Sequence, residues 1–173
     1  EAYKLQKKYL AEYGLTLSGL IEHHGVDPAE YHALFDDLPL ESLAQSPELI
    51  AAIERLPGRR LIFTNANDVH AERVLARLGL AHLFDDVFHI ALSAYVPKPS
   101  RVAFERIDAA HGIDPKATAF FEDSERNLEP AAELGMTTVL VGPHAPASTA
   151  PFVRYKTDNL ASFLNGALIR EAA

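Results

Sequence analysis

Three short polar groups stand at the ends of apolar runs in this chain. Thr64-Asn65 follows Leu61-Ile62-Phe63, Lys98 comes after the run from Val87 to Leu92, and Glu122-Asp123 follows Ala117 to Phe121. Their chemistries complement one another. A threonine hydroxyl and the next backbone amide can donate hydrogen bonds to phosphate oxygens. A lysine ammonium neutralises phosphate charge. Adjacent carboxylates can hold Mg²⁺, which takes oxygen ligands and keeps several waters. Together the groups make half of a phosphoryl-transfer site. Singly, each has a plainer reading. Thr64 suits a strand end as a local hydrogen-bonder. Lys98 reads as a solvated loop lysine, although Pro97 and Pro99 fix the backbone around it. Asp123 and Ser124 suit the cap of a following helix. The three groups in this order are more specific than any one of them.

Other chemistries drop out. The 173 residues include no cysteine, which excludes disulfides, thiolate catalysis and Cys-ligated zinc. The eight histidines form no His-Glu-x-x-His pattern, and His23-His24 are neighbours expected to point to different faces of a helix as surface or cap residues. There is no Gly-rich phosphate loop of the common types and no Gly-x-Ser-x-Gly elbow. A net charge of −8 argues against a nucleic-acid polymer as partner. It leaves room for a small phosphorylated substrate, because one lysine and a metal ion make a local positive site. Hydrophobic residues are 48% and charged residues 23%, which suits one globular domain or one with a small insertion. No apolar run approaches the ~18 residues of a membrane span, so no membrane partner is expected. The lack of cysteine fits a reducing compartment, and the cytoplasm is the expected location.

The elements that must position these residues follow from periodicity and punctuation. Ala2, Leu5, Tyr9, Leu10 and Tyr13 recur at helical spacing before Gly14. A short helix is predicted from Leu17 to His24, stopped by Gly25. Asp27-Pro28 and Ser46-Pro47 each read as a helix start. Pro57-Gly58 ends the helical region. From Arg59 the pattern alternates. Strands are predicted at 61–63, 87–92, 117–121 and 137–141. Helices are predicted from Asp68 to Gly79, from Pro99 to His111, through Leu128 and Leu134, and from Asp158 to Leu168. Such alternation implies a parallel sheet covered by helices, with ligands beyond the carboxyl ends of the strands. The three polar groups are expected to converge there.

At these residues the chain resembles a known family. Phe63-Thr64-Asn65, Val96-Pro97-Lys98-Pro99 and Phe120-Phe121-Glu122-Asp123-Ser124 resemble motifs two, three and four of the haloacid dehalogenase-like (HAD) superfamily. The stretches Arg126 to Pro130 and Leu134 to Thr138, with the leading segment from Lys4 to Asp27, resemble its pyrimidine 5′-nucleotidase-like subgroup. The resemblance implies an α/β fold with a Rossmann-like core and parallel sheet, plus an N-terminal helical cap. Residues 1–45 would be the cap and 46–173 the core. By the same resemblance Thr64 binds the transferring phosphoryl group with the amide of Asn65, and Lys98 steadies the phosphate. Asp123 reaches Mg²⁺ with Glu122 beside it. Ser124 and Asn127 stand around that ligand. The family often has an acidic residue at the position of Asn127, so hydrogen bonding in place of charge is expected there.

One departure is large. The family's first motif is Asp-x-Asp, whose first aspartate is the nucleophile, and no Asp-x-Asp occurs in this chain. In the family that motif ends the central strand, between the strands ending at Thr64 and at Asp123. The first central strand is therefore expected to be missing, leaving two apolar strand edges, and the sequence is expected to be a fragment of a longer reading frame. The activity implied is a Mg²⁺-dependent phosphatase of small phosphomonoesters, a nucleotide 5′-monophosphatase, acting through an aspartyl-phosphate. As it stands the chain is expected to be inactive. The alternatives are a haloacid dehalogenase-type hydrolase, which needs the same aspartate but no metal, and a non-catalytic module that binds phosphate or a partner. A response-regulator-type domain places its acidic pair before the Thr and Lys, the reverse of the order here.

Overall fold

The computed structural model describes residues 1–171, and side chains through residue 167. In chain order the elements are α1 (Ala2–Tyr13), α2 (Thr16–His24), α3 (Pro28–Asp36), α4 (Pro47–Glu54), β1 (Leu61–Phe63), α5 (Asp68–Leu78), β2 (Asp86–Phe88), α6 (Arg101–His111), β3 (Ala119–Glu122), α7 (Leu128–Leu134), β4 (Thr137–Val141), β5 (Tyr155–Thr157) and α8 (Leu160–Glu171). The chain is thus mixed α/β, and every strand pair is parallel. It divides into two compact units. None of its described helices is long and apolar enough to cross a membrane.

The first unit comprises Glu1–Gln45 and Arg60–Arg106. Its helices begin and end where local chemistry dictates. Asp27 caps α3 by accepting from the amides of Ala29 (2.7 Å) and Glu30 (3.1 Å). Gly14 closes α1 in the left-handed region (φ 76°), where a side chain is disfavoured. α5 is capped by Asn67, whose Oδ1 accepts from His70 N–H at 3.1 Å. Asp68 enters the first turn, where its charge complements the helix dipole. β1 pairs with β2, Leu61 opposite Asp86 and Phe63 opposite Phe88. Phe63 packs edge-on against Phe88 and Phe104, centroids 5.7 and 5.2 Å away.

The second strand stops at Phe88 and does not run to Leu92 as predicted. The reason lies in the turn that follows. The buried Ser93 hydroxyl shares its one proton between the carbonyls of Ile90 (3.1 Å) and Val96, and Ala94 and Tyr95 take positive φ (47° and 59°). Arg106 donates to the Ser93 carbonyl. An apolar run that closes on itself this way cannot continue as a strand.

The second unit comprises Ser46–Arg59 and the chain from Ile107 onward. Its sheet has the order β3-β4-β5, with Ala119 opposite Thr137 and Val139 opposite Tyr155. Leu128, Leu140, Ala145 and Val153 form a core against which Phe120 and Phe152 pack. α4 is capped by Ser46, whose Oγ accepts from Leu49 N–H at 3.3 Å, and Arg55 just beyond it donates to Asn165 of α8. β5 was not expected. Thr138, 1% exposed, explains its placement: its hydroxyl donates to the Phe152 carbonyl (2.6 Å) and accepts from Arg154 N–H (3.0 Å). The chain is thereby aligned beside β4.

Candidate functional site

The first unit brings Thr64, Asn65 and Lys98 together. Thr64 follows β1, and its amide donates to the carbonyl of Phe88 at 3.0 Å. Its Oγ1 accepts from Ala66 N–H at 3.0 Å, so the hydroxyl proton is directed away from that bond. Asn65 clamps the lysine loop across 33 residues of sequence. Its Oδ1 accepts from Lys98 N–H (2.9 Å) and its Nδ2 donates to the Lys98 carbonyl (3.2 Å). Lys98 is 7% exposed. Its Nζ donates to the Phe63 carbonyl at 2.7 Å and lies 5.0 Å from the centre of the Phe63 ring. The solvated-loop reading of Lys98 therefore gives way to a buried ammonium at the end of β1. Gly14 closes in on the same loop. A β-carbon there would stand 3.2 Å from Pro99 Cδ and 3.3 Å from the Lys98 carbonyl.

The acidic group lies in the second unit, where β3 ends. Glu122 is 9% exposed, and its Oε1 accepts from the amides of Asp123 (3.2 Å) and Ser124 (3.1 Å). That bonding shapes the loop and leaves Asp123 at the surface. Ser124 precedes the short turn Glu125–Asn127 and makes no side-chain capping bond. Asn127 is 6% exposed and its Oδ1 has no hydrogen-bond partner. An enclosed amide oxygen without a donor suits a metal ion or a metal-bound water. Among the described residues no three His, Asp or Glu side chains come close enough to hold a metal on their own. Mg²⁺ is nonetheless well served by one or two carboxylates with water in the remaining positions. The donor set of Asp123, Glu122 and the Asn127 oxygen fits that ion.

Asp123 also lines an open cleft of about 590 Å³ in the second unit, with Glu125, His144, Ser148 and Thr149. The last three sit after β4, in a loop that carries Pro143, Pro146 and Pro151. Their position beyond a strand's carboxyl end was the available signal.

A second set that pattern did not reveal surrounds α3. Asp36 Oδ1 accepts from Asn67 Nδ2 at 2.9 Å. The His32 ring is stacked on Tyr95, centroids 6.3 Å apart and planes at 24°. His32 Nε2 is enclosed and without a partner. Burial pushes the His32 imidazole below the ordinary histidine range, against the pull of the Asp36 and Asp68 carboxylates. Burial likewise pushes the Tyr31 phenol up. His23 and His24 meet the two tyrosines of α1. Tyr13 Oη lies 2.7 Å from His23 Nε2, and Tyr9 Oη lies 2.8 Å from His24 Nε2.

Comparison with known proteins bears on this arrangement. Phosphate metabolism protein 8 of Saccharomyces cerevisiae is 31% identical over 156 residues, covering 81% of this chain and 49% of that protein. The chain thus spans about half the length of this curated relative. A haloacid dehalogenase-like protein of unknown function from Agrobacterium tumefaciens shares the fold, with a TM-score of 0.65 at 18% identity, covering 98% of this chain and 84% of that one. The L-2-haloacid dehalogenase of Xanthobacter autotrophicus, with chloropropionic acid covalently bound, shares it with a TM-score of 0.60 at 18% identity, covering 91% and 74%. The family model for haloacid dehalogenase-like hydrolases matches residues 4–135, which include Thr64, Lys98 and Asp123. With its parallel α/β elements and its strand-end Thr, Lys and Asp, the chain belongs to the haloacid dehalogenase-like hydrolase family.

Proposed function

We propose that this chain supplies the phosphate- and metal-binding groups of a Mg²⁺-dependent phosphatase of small phosphomonoesters, nucleoside 5′-monophosphates foremost. The observation that carries the reading is Lys98, buried at the end of β1 and held by Asn65 through both its own N–H and its own carbonyl. An ammonium fixed this way beside a threonine is preorganised for a phosphate anion. The family membership supports a hydrolase. The yeast relative's name connects that protein with phosphate metabolism, which favours phosphate esters over organic halides.

In this reading Thr64 donates its hydroxyl proton, and Asn65 its backbone N–H, to oxygens of the transferring phosphoryl group. Lys98 offsets the charge of that group. Asp123, with Glu122 shaping its loop and Asn127 and Ser124 nearby, would hold Mg²⁺. When bound, the ion would supply positive charge to anionic oxygen ligands. Residues 1–45 act as a cap that selects the leaving group, and residues 46–173 as the core. Residues 172–173 lie outside the described residues. Turnover proceeds through an aspartyl-phosphate, and these 173 residues contain no Asp-x-Asp to form it. The chain by itself therefore binds without turning over. The cytoplasm is the setting we assign to it.

Calorimetric titration tests the reading. Inorganic phosphate should bind the chain in the presence of Mg²⁺. Lys98→Ala should lose about 30- to 100-fold in phosphate affinity, the worth of a charge-assisted contact. Asp123→Asn should abolish the enhancement by Mg²⁺ and leave metal-free phosphate binding intact. Equal phosphate binding by wild type and Lys98→Ala would sink the proposal.

A further inference from the structure

One face of α3 grips both loops of the phosphate-binding group. His32 and Asp36 stand one helical turn apart and so share that face. Asp36 accepts from Asn67, which caps α5 three residues after Thr64. His32 stacks on Tyr95, which stands three residues before Lys98. Tyr95 has φ 59°, a conformation that a residue with a β-carbon keeps only when its surroundings hold it there. The His32 ring stacks on the Tyr95 side chain, with 24° between the planes. The His32 Nε2 is enclosed and has no hydrogen-bond partner, so the doubly protonated ring would carry an enclosed N–H with no acceptor there.

We propose that His32 is a positioning residue for the phosphate-binding lysine: its neutral ring, stacked on Tyr95, holds the loop of residues 94–98 so that Lys98 meets the anion. The inference rests on reading Thr64 and Lys98 as a phosphate site. The titratable groups around His32 are Tyr31 and Asp36 of α3, Asp68 of α5, and Tyr95 of the loop. Protonation would draw the ring toward the two carboxylates and off the tyrosine face. Burial opposes that protonation and holds the imidazole neutral at neutral pH. The sign follows. The neutral, stacked ring is fully present above the ordinary histidine pKa. It is lost as the pH falls through the lower value of the folded state. Anion affinity should fall over the same interval.

The test is calorimetric titration of the whole chain with sulfate, a tetrahedral anion whose charge stays constant between about pH 7.5 and about pH 5. Wild type should lose about tenfold in affinity across that range. His32→Phe keeps a stacking ring and cannot take a proton, so its affinity should stay within about twofold throughout. His32→Ala should bind weakly at both ends. A parallel decline in wild type and His32→Phe overturns the inference, as does His32→Ala matching wild type. A wild-type affinity that does not change with pH overturns it too, while leaving the phosphate site standing. If His32→Ala fails to fold, the His32→Phe profile decides alone, flat in support and sloping against. Wild type that binds no sulfate at any pH overturns the phosphate-site reading, and the inference with it.

Discussion

Lys98 is 7% exposed, and an ammonium so enclosed needs partners to replace the water it has lost. The Phe63 carbonyl is one and the Phe63 ring another. Asn65 contributes something different, because it bonds the lysine's backbone and fixes where the side chain starts. Asn65→Ala removes both bonds to partly buried peptide groups of the lysine loop. It should cost about 1–3 kcal/mol of stability in chemical denaturation. It should also weaken phosphate binding severalfold while every charge in the site remains. Unchanged phosphate affinity in a destabilised Asn65→Ala would mean that Lys98 finds its place without the clamp. Local sequence exposed part of this. Two flanking prolines marked Lys98 as unusual. The clamp was hidden because it joins residues 33 apart, and the His32–Tyr95 stack because it joins two turns of chain with no shared pattern.

Element boundaries were legible wherever one residue type decides them. Gly14, Gly25, Gly79 and Gly135 each close a helix in the left-handed region. Asp27 and Ser46 open helices as expected. β5 was hidden because Tyr155-Lys156-Thr157 is only three residues long with no buried apolar run, and its alignment comes from Thr138 far upstream. Packing of α1 on α2 was also beyond reach of pattern, and Gly19 shows why. Inside a helix, Gly→Ala ordinarily stabilises by about 1 kcal/mol. Here an added β-carbon would lie 2.3 Å from Cγ of Tyr9. Tyr9 is 3% exposed, packs on His23 and hydrogen-bonds His24, so the clash falls on an enclosed ring. Overpacking of that kind costs about 1–3 kcal/mol and outweighs the gain in propensity. Gly19→Ala should therefore lower the urea midpoint. A raised midpoint would show that Tyr9 has room to retreat.

At the scale of the molecule two tendencies oppose each other. β1 has β2 as its sheet neighbour and β3 has β4, so in its own sheet each is an edge strand. Both are apolar, Leu61-Ile62-Phe63 in one and Ala119-Phe120-Phe121 leading the other. Apolar edges invite pairing with another chain. At three and four residues they are short templates, which weakens the tendency. The net charge of −8 opposes association directly, since two copies repel at long range. Salt separates the two effects. The repulsion is screened within about 10 Å at 0.1 M ionic strength, whereas apolar and backbone pairing acts at contact. Apparent mass by light scattering should therefore stay near that of one chain at low salt. It should rise with protein concentration once ionic strength reaches roughly 0.5 M. Replacing Ile62 by Lys puts a charge on the shorter edge and should reduce the rise. A single-chain mass at high salt and high concentration would show that both edges are already protected. Association strongest at low salt would point instead to attraction between opposite charges, and the edge strands would not be its cause.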